Sequence, residues 1–112
     1  MMPSYFPVQK NQPFVFFIGL EDAANSGVFL LNPPIQSGDF KISADGGPEA
    51  NLETLPQASG KRVRISLSSA EMNGDNITLV CSDPDSVWDD VMVNIQTTDL
   101  SIYHAQTVIV VP

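Results

Sequence analysis

Positive charge is scarce in this 112-residue chain, which has five lysine and arginine residues against thirteen aspartate and glutamate residues. The formal net charge of -8 opposes binding to DNA or RNA, because affinity for nucleic acid comes largely from neutralising phosphates. We therefore expect no nucleic-acid partner. The acidic residues are scattered and fall mostly in predicted turns, so we interpret them as a solvated surface, with an acidic docking patch as the alternative.

Cysteine and long apolar runs are scarce as well. Cys81 is the single cysteine, which excludes a disulfide within the chain, and its place in an apolar alternating stretch predicts a buried, inert thiol. The longest apolar run, residues 14–20, is far shorter than the roughly 18 residues needed to span a bilayer. The first residues lack the pattern of a signal peptide. A soluble, unprocessed protein without a membrane partner is expected.

Short alternating stretches separated by turn signals predict a β-fold. Phe40 and Ile42 alternate with polar residues, and Asp45-Gly46-Gly47 next to Pro48 predicts a tight reversal. Turn signals recur roughly every 8 to 12 residues, which is typical of an antiparallel sandwich. We therefore predict an all-β, Ig-like β-sandwich of about seven strands with one short helical turn and extended termini. Its predicted core consists of the inward positions of the clearest alternations: Phe16, Phe40, Ile42, Val63, Ile65, Leu67, Ile77, Leu79, Val91, Val93 and Ile95.

Two further stretches carry local signals. Residues 13–20 are apolar at successive positions, which predicts a strand with the core on one side and another surface on the other. Ser68 and Glu71 have the spacing of a capping box, which predicts one helical turn at a corner between strands.

The predicted organisation is one domain between two extended segments. Residues 1–12 contain two prolines and no clean periodicity, which predicts an extended arm, and residues 13–98 form the sandwich. Residues 99–112 form a C-terminal strand or tail. Its β-prone, uncharged stretch, residues 107–111, either closes the sheet of its own domain or adds to the edge of a neighbouring sheet.

Patterns typical of catalysis are missing from the sequence. His104 is the only histidine, and there is neither a glycine-flanked serine of the nucleophile-elbow type nor a phosphate-binding loop. The four aspartates between residues 83 and 90 fit no standard calcium loop and are interpreted as a charged turn. We therefore expect no enzymatic activity, no cofactor and no metal. Trp88 is interpreted as a core or strand-end aromatic, with a surface anchor for sugar or protein as the alternative.

Four segments, taken in order, resemble a β-sandwich module of virion proteins from tailed bacteriophages. They are GDFKISADGG (38–47), NLETLP (51–56), ISLSSAEM (65–72) and WDDVMVNIQTT (88–98). The resemblance covers about residues 14–98 and implies a building block of a virus particle, made in the cytoplasm of the host bacterium. A capsid decoration or cement protein is the first choice, and a tail, neck or baseplate component is the second. A carbohydrate-binding adhesion module, through Trp88, Tyr103 and the acidic turns, is the alternative from another class.

The contact segments are predicted in the two termini. A pre-extended arm loses little conformational entropy on docking, and a β-prone tail can add a strand to a neighbour. The partners are expected to be the major capsid protein or other virion proteins and further copies of the chain. The predicted contact residues are Tyr5, Phe6, Val8, Tyr103, Val108, Ile109, Val110 and Val111.

Overall fold

Eight strands form two β-sheets in the computed structural model, which describes residues 8–98. The strands are β1 (Val8–Gln9), β2 (Phe14–Ile18), β3 (Phe40–Ala44), β4 (Ala50–Asn51), β5 (Gln57–Ser59), β6 (Arg62–Leu67), β7 (Asn76–Cys81) and β8 (Val91–Thr98). The larger sheet has the order β1-β8-β7-β3-β4, and the smaller sheet has the order β2-β6-β5. Every strand pair is antiparallel except β1 with β8. The described residues include no helix, so the prediction of an all-β sandwich is confirmed, while its Ig-like connectivity stays a prediction.

The hydrophobic core lies between the two sheets, where the period-2 alternation of the strands directs one set of side chains. Of the eleven residues predicted for the core, eight are buried, and Phe16, Val91 and Val93 are half-buried and pack against them. The strongest alternation belongs to β6, whose Val63, Ile65 and Leu67 are almost fully inaccessible to solvent. The core also contains Leu20, Met72, Cys81 and Trp88.

The reversal after β3 has the geometry predicted from its sequence. Asp45 and Gly46 have φ values of 53° and 74°, and the Gly47 amide donates to the Ala44 carbonyl at 2.9 Å. Two positive φ angles in the central positions define a type I′ turn. The Asp45 carboxylate also accepts hydrogen bonds from the Asp75 and Asn76 amides, the latter at 2.9 Å. The turn is thereby tied to the start of β7.

The corner after β6 contains the predicted capping box. The Ser68 amide donates to Glu71 Oε1 at 2.8 Å, and the Glu71 amide donates to Ser68 Oγ at 3.1 Å. The Met72 amide then donates to the Ser68 carbonyl at 3.0 Å, which closes a single turn. The segment ends there and places the Met72 side chain in the core.

The last residues of the predicted N-terminal arm lie at the edge of the larger sheet. Val8 and Gln9 pair in parallel with Thr97 and Thr98 of β8. The Lys10 amide continues this contact by donating to the Thr98 carbonyl at 2.9 Å. Both ends of the described chain therefore lie side by side.

Candidate interaction surface

The smaller sheet exposes apolar side chains on its outer face. Along β2, Phe16 and Ile18 point toward the core, whereas Val15 and Phe17 are 43% and 50% exposed. The sequence predicted this arrangement from the unbroken apolar run in β2. An aromatic side chain that is half exposed on a sheet face is a candidate contact group, because its burial by a partner would remove apolar area from water.

Phe29 extends this outer face beyond the end of β2. The next outward position after Phe17 is Gly19, where a Cβ atom would lie only 2.9 Å from Cδ1 of the Phe29 ring. The ring thus occupies the space that a side chain at residue 19 would need. Phe29 is held there by a β-bridge to Glu21 and by the Leu30 amide, which donates to the Leu20 carbonyl at 2.8 Å. Phe29 itself is 52% exposed and adds a second aromatic ring to the face.

Arginine side chains line the same face. Arg64 lies opposite Phe17 in the register of β6 with β2, and Arg62 is the next outward residue of β6. The Arg62 guanidinium lies 5.3 Å from the centroid of the Phe17 ring, a cation–π distance. None of the three strands contains an aspartate or glutamate. We name this surface the basic apolar face and define it by Val15, Phe17, Phe29, Arg62 and Arg64.

A second surface, of opposite charge, is formed where the loop after β2 meets the segment before β8. Asp22 forms a β-bridge with Trp88, and the Asp89 amide donates to the Glu21 carbonyl at 3.0 Å. Hydrogen bonds from Asn25 and Ala24 hold the pKa of Asp22 below its usual value. We name this surface the acidic end; its members are Glu21, Asp22, Asp85, Asp89 and Asp90, together with the exposed apolar residues Val28 and Val87.

Asp83 does not belong to the acidic end, because its side chain is buried and has a structural role. Its carboxylate accepts hydrogen bonds from the amides of Asp85 at 3.1 Å and Val87 at 3.0 Å. These bonds stabilise the turn that presents the neighbouring acidic residues. Within residues 8–98, no group of three or more His, Cys, Asp or Glu side chains is arranged to hold a metal ion.

Trp88 and Cys81 lie in the core. Trp88 is 1% exposed, and its ring centroid lies 6.5 Å from that of Phe40, which confirms the core interpretation. Its indole Nε1 has no hydrogen-bond partner in the described part of the chain. Cys81 is fully buried, and this burial raises the pKa of its thiol to about 12. The predicted burial of this thiol is confirmed.

Most of the predicted contact residues cannot be placed on either surface. Tyr5, Phe6, Tyr103 and the apolar run from residue 108 to residue 111 lie outside the described residues. Val8 is described, and its half-buried side chain packs against the core while its backbone pairs with Thr97. The basic apolar face was not among the predicted contact sites, although its two halves are visible in sequence as the apolar β2 and the outward cations of β6.

Two grooves flank β4 and share no residue with the basic apolar face. The smaller, of about 140 Å³, is lined by Phe40, Leu52 and Leu55 among others. The larger, of about 330 Å³, is lined mainly by small residues such as Ala44, Ala50 and Ala70. Polar side chains line both grooves as well, with Gln36 and Ser37 in the smaller one and Asn51 and Glu71 in the larger one.

Comparison with known proteins provides no relative from which to transfer a function. No protein-family model, no curated protein and no solved structure matches the chain. The described residues also include no helix long and apolar enough to cross a membrane. Any function proposed for the protein therefore depends on the chemistry of its own surfaces and on the sequence resemblance.

Proposed function

We propose that the protein is a non-enzymatic structural component of a bacteriophage virion, a capsid decoration or cement protein that stabilises the head shell through protein–protein contacts. The observation that carries the proposal is the outer face of the smaller sheet. Phe17 and Phe29 are both about half exposed there, although the core between the two sheets contains its own set of large side chains. Contiguous exposed apolar groups rimmed by polar residues are typical of protein interaction sites.

The position of the chain ends also supports a role in assembly. Gln9 lies directly opposite Thr98, so residues 1–7 and 99–112 join the larger sheet at neighbouring points, on the edge strand β1 and on the adjacent strand β8. These two segments contain seven of the eight contact residues predicted from sequence: Tyr5, Phe6, Tyr103 and the valine-rich run at residues 108–111. Two segments that start from neighbouring points can engage one partner surface together, which raises their combined affinity above that of either alone.

A tail, neck or baseplate component is the second candidate. The same contacts would serve it, and it differs from a decoration protein only in its location in the particle. The carbohydrate-binding alternative depended on Tyr103, which lies outside the described residues, on the acidic turns, and on Trp88 as a stacking ring. That ring is 1% exposed and is covered by the core, so it is not available to a sugar. The exposed Phe17 ring lies instead under the Arg62 guanidinium, and aromatic and arginine residues are enriched in protein interfaces.

A retention experiment tests the proposal. Phage particles assembled without the protein are mixed with the full chain, with a variant lacking residues 1–7 or with a variant lacking residues 99–112, and each mixture is sedimented. We expect the full chain to sediment with the particles and both truncated variants to stay in the supernatant. Far-UV circular dichroism and Trp88 fluorescence check that the truncated sandwiches are folded.

Immunogold labelling of the reconstituted particles then identifies the location. Label over the head supports the decoration role, and label confined to the tail or neck supports the second location. If the full chain does not sediment with particles that lack it, the virion proposal is wrong. If both truncated variants are retained as well as the full chain, the contact residues predicted in the termini are wrong.

A further inference from the structure

We propose that the basic apolar face binds the acidic end of a second copy of the chain. This inference does not depend on the protein being a virion component, because it follows from two surfaces of the same sandwich. It identifies an interaction surface that the contact segments predicted from sequence do not include.

Positive charge is unevenly distributed in this chain. Lys61, Arg62 and Arg64 are three of the five cationic residues in a chain with thirteen acidic ones. All three are exposed, and they belong to or adjoin a sheet whose strands contain no carboxylate. The face is therefore positive in an otherwise acidic molecule, and complementary charge on a partner means exposed carboxylates.

The basic apolar face also exposes aromatic side chains that a partner could bury. Phe17 is 50% exposed and lies under the Arg62 guanidinium, while Phe29 is 52% exposed over Gly19. Arginine and aromatic residues are the types that carry most of the binding energy at protein interfaces. A partner that supplies carboxylates to the arginines and apolar side chains to the rings satisfies both.

The acidic end supplies both kinds of group. Asp85 and Asp89 are exposed, and neither carboxylate accepts a hydrogen bond from any residue in the range 8–98. Val87 lies between them in the sequence and is 37% exposed. Val28, on the same surface, is 46% exposed. The acidic end therefore offers free carboxylates beside exposed valines. These groups are complementary to the arginines and exposed aromatic rings of the basic apolar face.

Contact between two identical basic apolar faces is disfavoured, because it would bring Arg62 and Arg64 of one copy against those of the other. Pairing the face with the acidic end avoids this repulsion. Phe29 belongs to the basic apolar face and also forms the β-bridge to Glu21 of the acidic end, so the two surfaces adjoin. In a dimer with two-fold symmetry, the basic apolar face of each copy can contact the acidic end of the other copy. The expected product is therefore a closed dimer.

Sedimentation velocity of the full chain tests the inference. We expect a concentration-dependent dimer whose dissociation constant rises with added NaCl, because charge pairs at an interface rim are screened by salt. The variants Arg62→Glu/Arg64→Glu and Asp85→Lys/Asp89→Lys should each dissociate about tenfold or more readily than wild type. An equimolar mixture of these two variants should restore the dimer, since every contact then joins opposite charges again.

Matched variants separate the interface from general effects of charge and hydrophobicity. Lys10→Glu/Lys41→Glu makes the same change in net charge away from the face and should leave the dimer intact. Phe17→Ser should abolish the dimer, whereas Met92→Ser should not, although Met92 is 70% exposed on the larger sheet. Circular dichroism checks that each variant is folded.

Three outcomes would overturn the inference: a wild-type chain that stays monomeric at all concentrations, a dimer that the Arg62→Glu/Arg64→Glu variant does not weaken, or a charge-swapped mixture that stays monomeric. Loss of the dimer only on removal of residues 1–7 or 99–112 would instead assign self-association to the termini. Because these measurements use no particles, their failure is distinct from failure of the virion proposal.

Discussion

Replacement of Ile65 by alanine should remove much of the stability of the sandwich. Ile65 is fully buried in β6, which is the middle strand of the smaller sheet and is hydrogen-bonded to β2 and β5 on its two sides. Because Phe16 of β2 pairs with Ile65 and Gln57 of β5 pairs with the adjacent Arg64, the backbone is held in place, and the cavity left by the three missing carbons cannot collapse easily. We therefore expect a loss of about 3 kcal/mol, within the usual range of about 2 to 5 kcal/mol for such truncations.

Urea denaturation measures this loss. Trp88 is the only tryptophan and is 1% exposed, so its fluorescence reports unfolding directly. Met92→Ala is the matched control, since it truncates a side chain that is 70% exposed and should cost less than about 0.5 kcal/mol. A loss below about 0.5 kcal/mol for Ile65→Ala would show that the core does not include Ile65, and the packing described between the sheets would be wrong.

Two further predictions concern groups inside the core. Because burial raises the pKa of Cys81 to about 12 from an ordinary value of 9.0, the unfolded chain loses the thiol proton before the folded one does. Stability should therefore be unaffected by this group below pH 9 and fall as pH rises above it, by up to about 1.4 kcal/mol per pH unit, and urea titrations of Cys81→Ala should show a flatter decline. Trp88→Phe should change stability by less than about 1.5 kcal/mol, because removing the unpaired indole N–H regains about 1 to 3 kcal/mol and offsets the lost packing. Circular dichroism in urea measures this variant, and a loss above about 3 kcal/mol would contradict the assignment of an unsatisfied N–H.

The parts of the fold that the sequence predicted depend on local chemistry. The alternation of Val63, Ile65 and Leu67 is set by the geometry of a strand, so the inward residues could be identified without knowing the neighbouring strands. The turn at Asp45 and Gly46 was predictable because few residue types tolerate positive φ. Ser68 and Glu71 likewise carry their hydrogen-bonding pattern within four residues.

The parts that the sequence did not predict depend on contacts between distant segments. The parallel pairing of Val8 with Thr97 joins residues close to the two ends of the chain, and no local pattern indicates it. The placement of the Phe29 ring over Gly19 depends on the path of an irregular loop. Met72 enters the core only because the corner after β6 turns it inward. Such contacts follow from the tertiary fold and are not encoded in a short window of sequence.

The basic apolar face forms because the register of β2 with β6 brings two local sequence patterns together. The apolar run of β2 and the alternating cations of β6 are each visible in sequence, but only the pairing of Phe17 with Arg64 places them on one face. Arg64 and Ile65 are adjacent in the chain and point to opposite sides of the same sheet. Folding should therefore depend on Ile65 and association on Arg64. Ile65→Ala should lower the free energy of unfolding. Arg64→Glu should instead weaken the dimer and leave the sandwich folded. Substitutions at two neighbouring residues would thus affect stability and association separately.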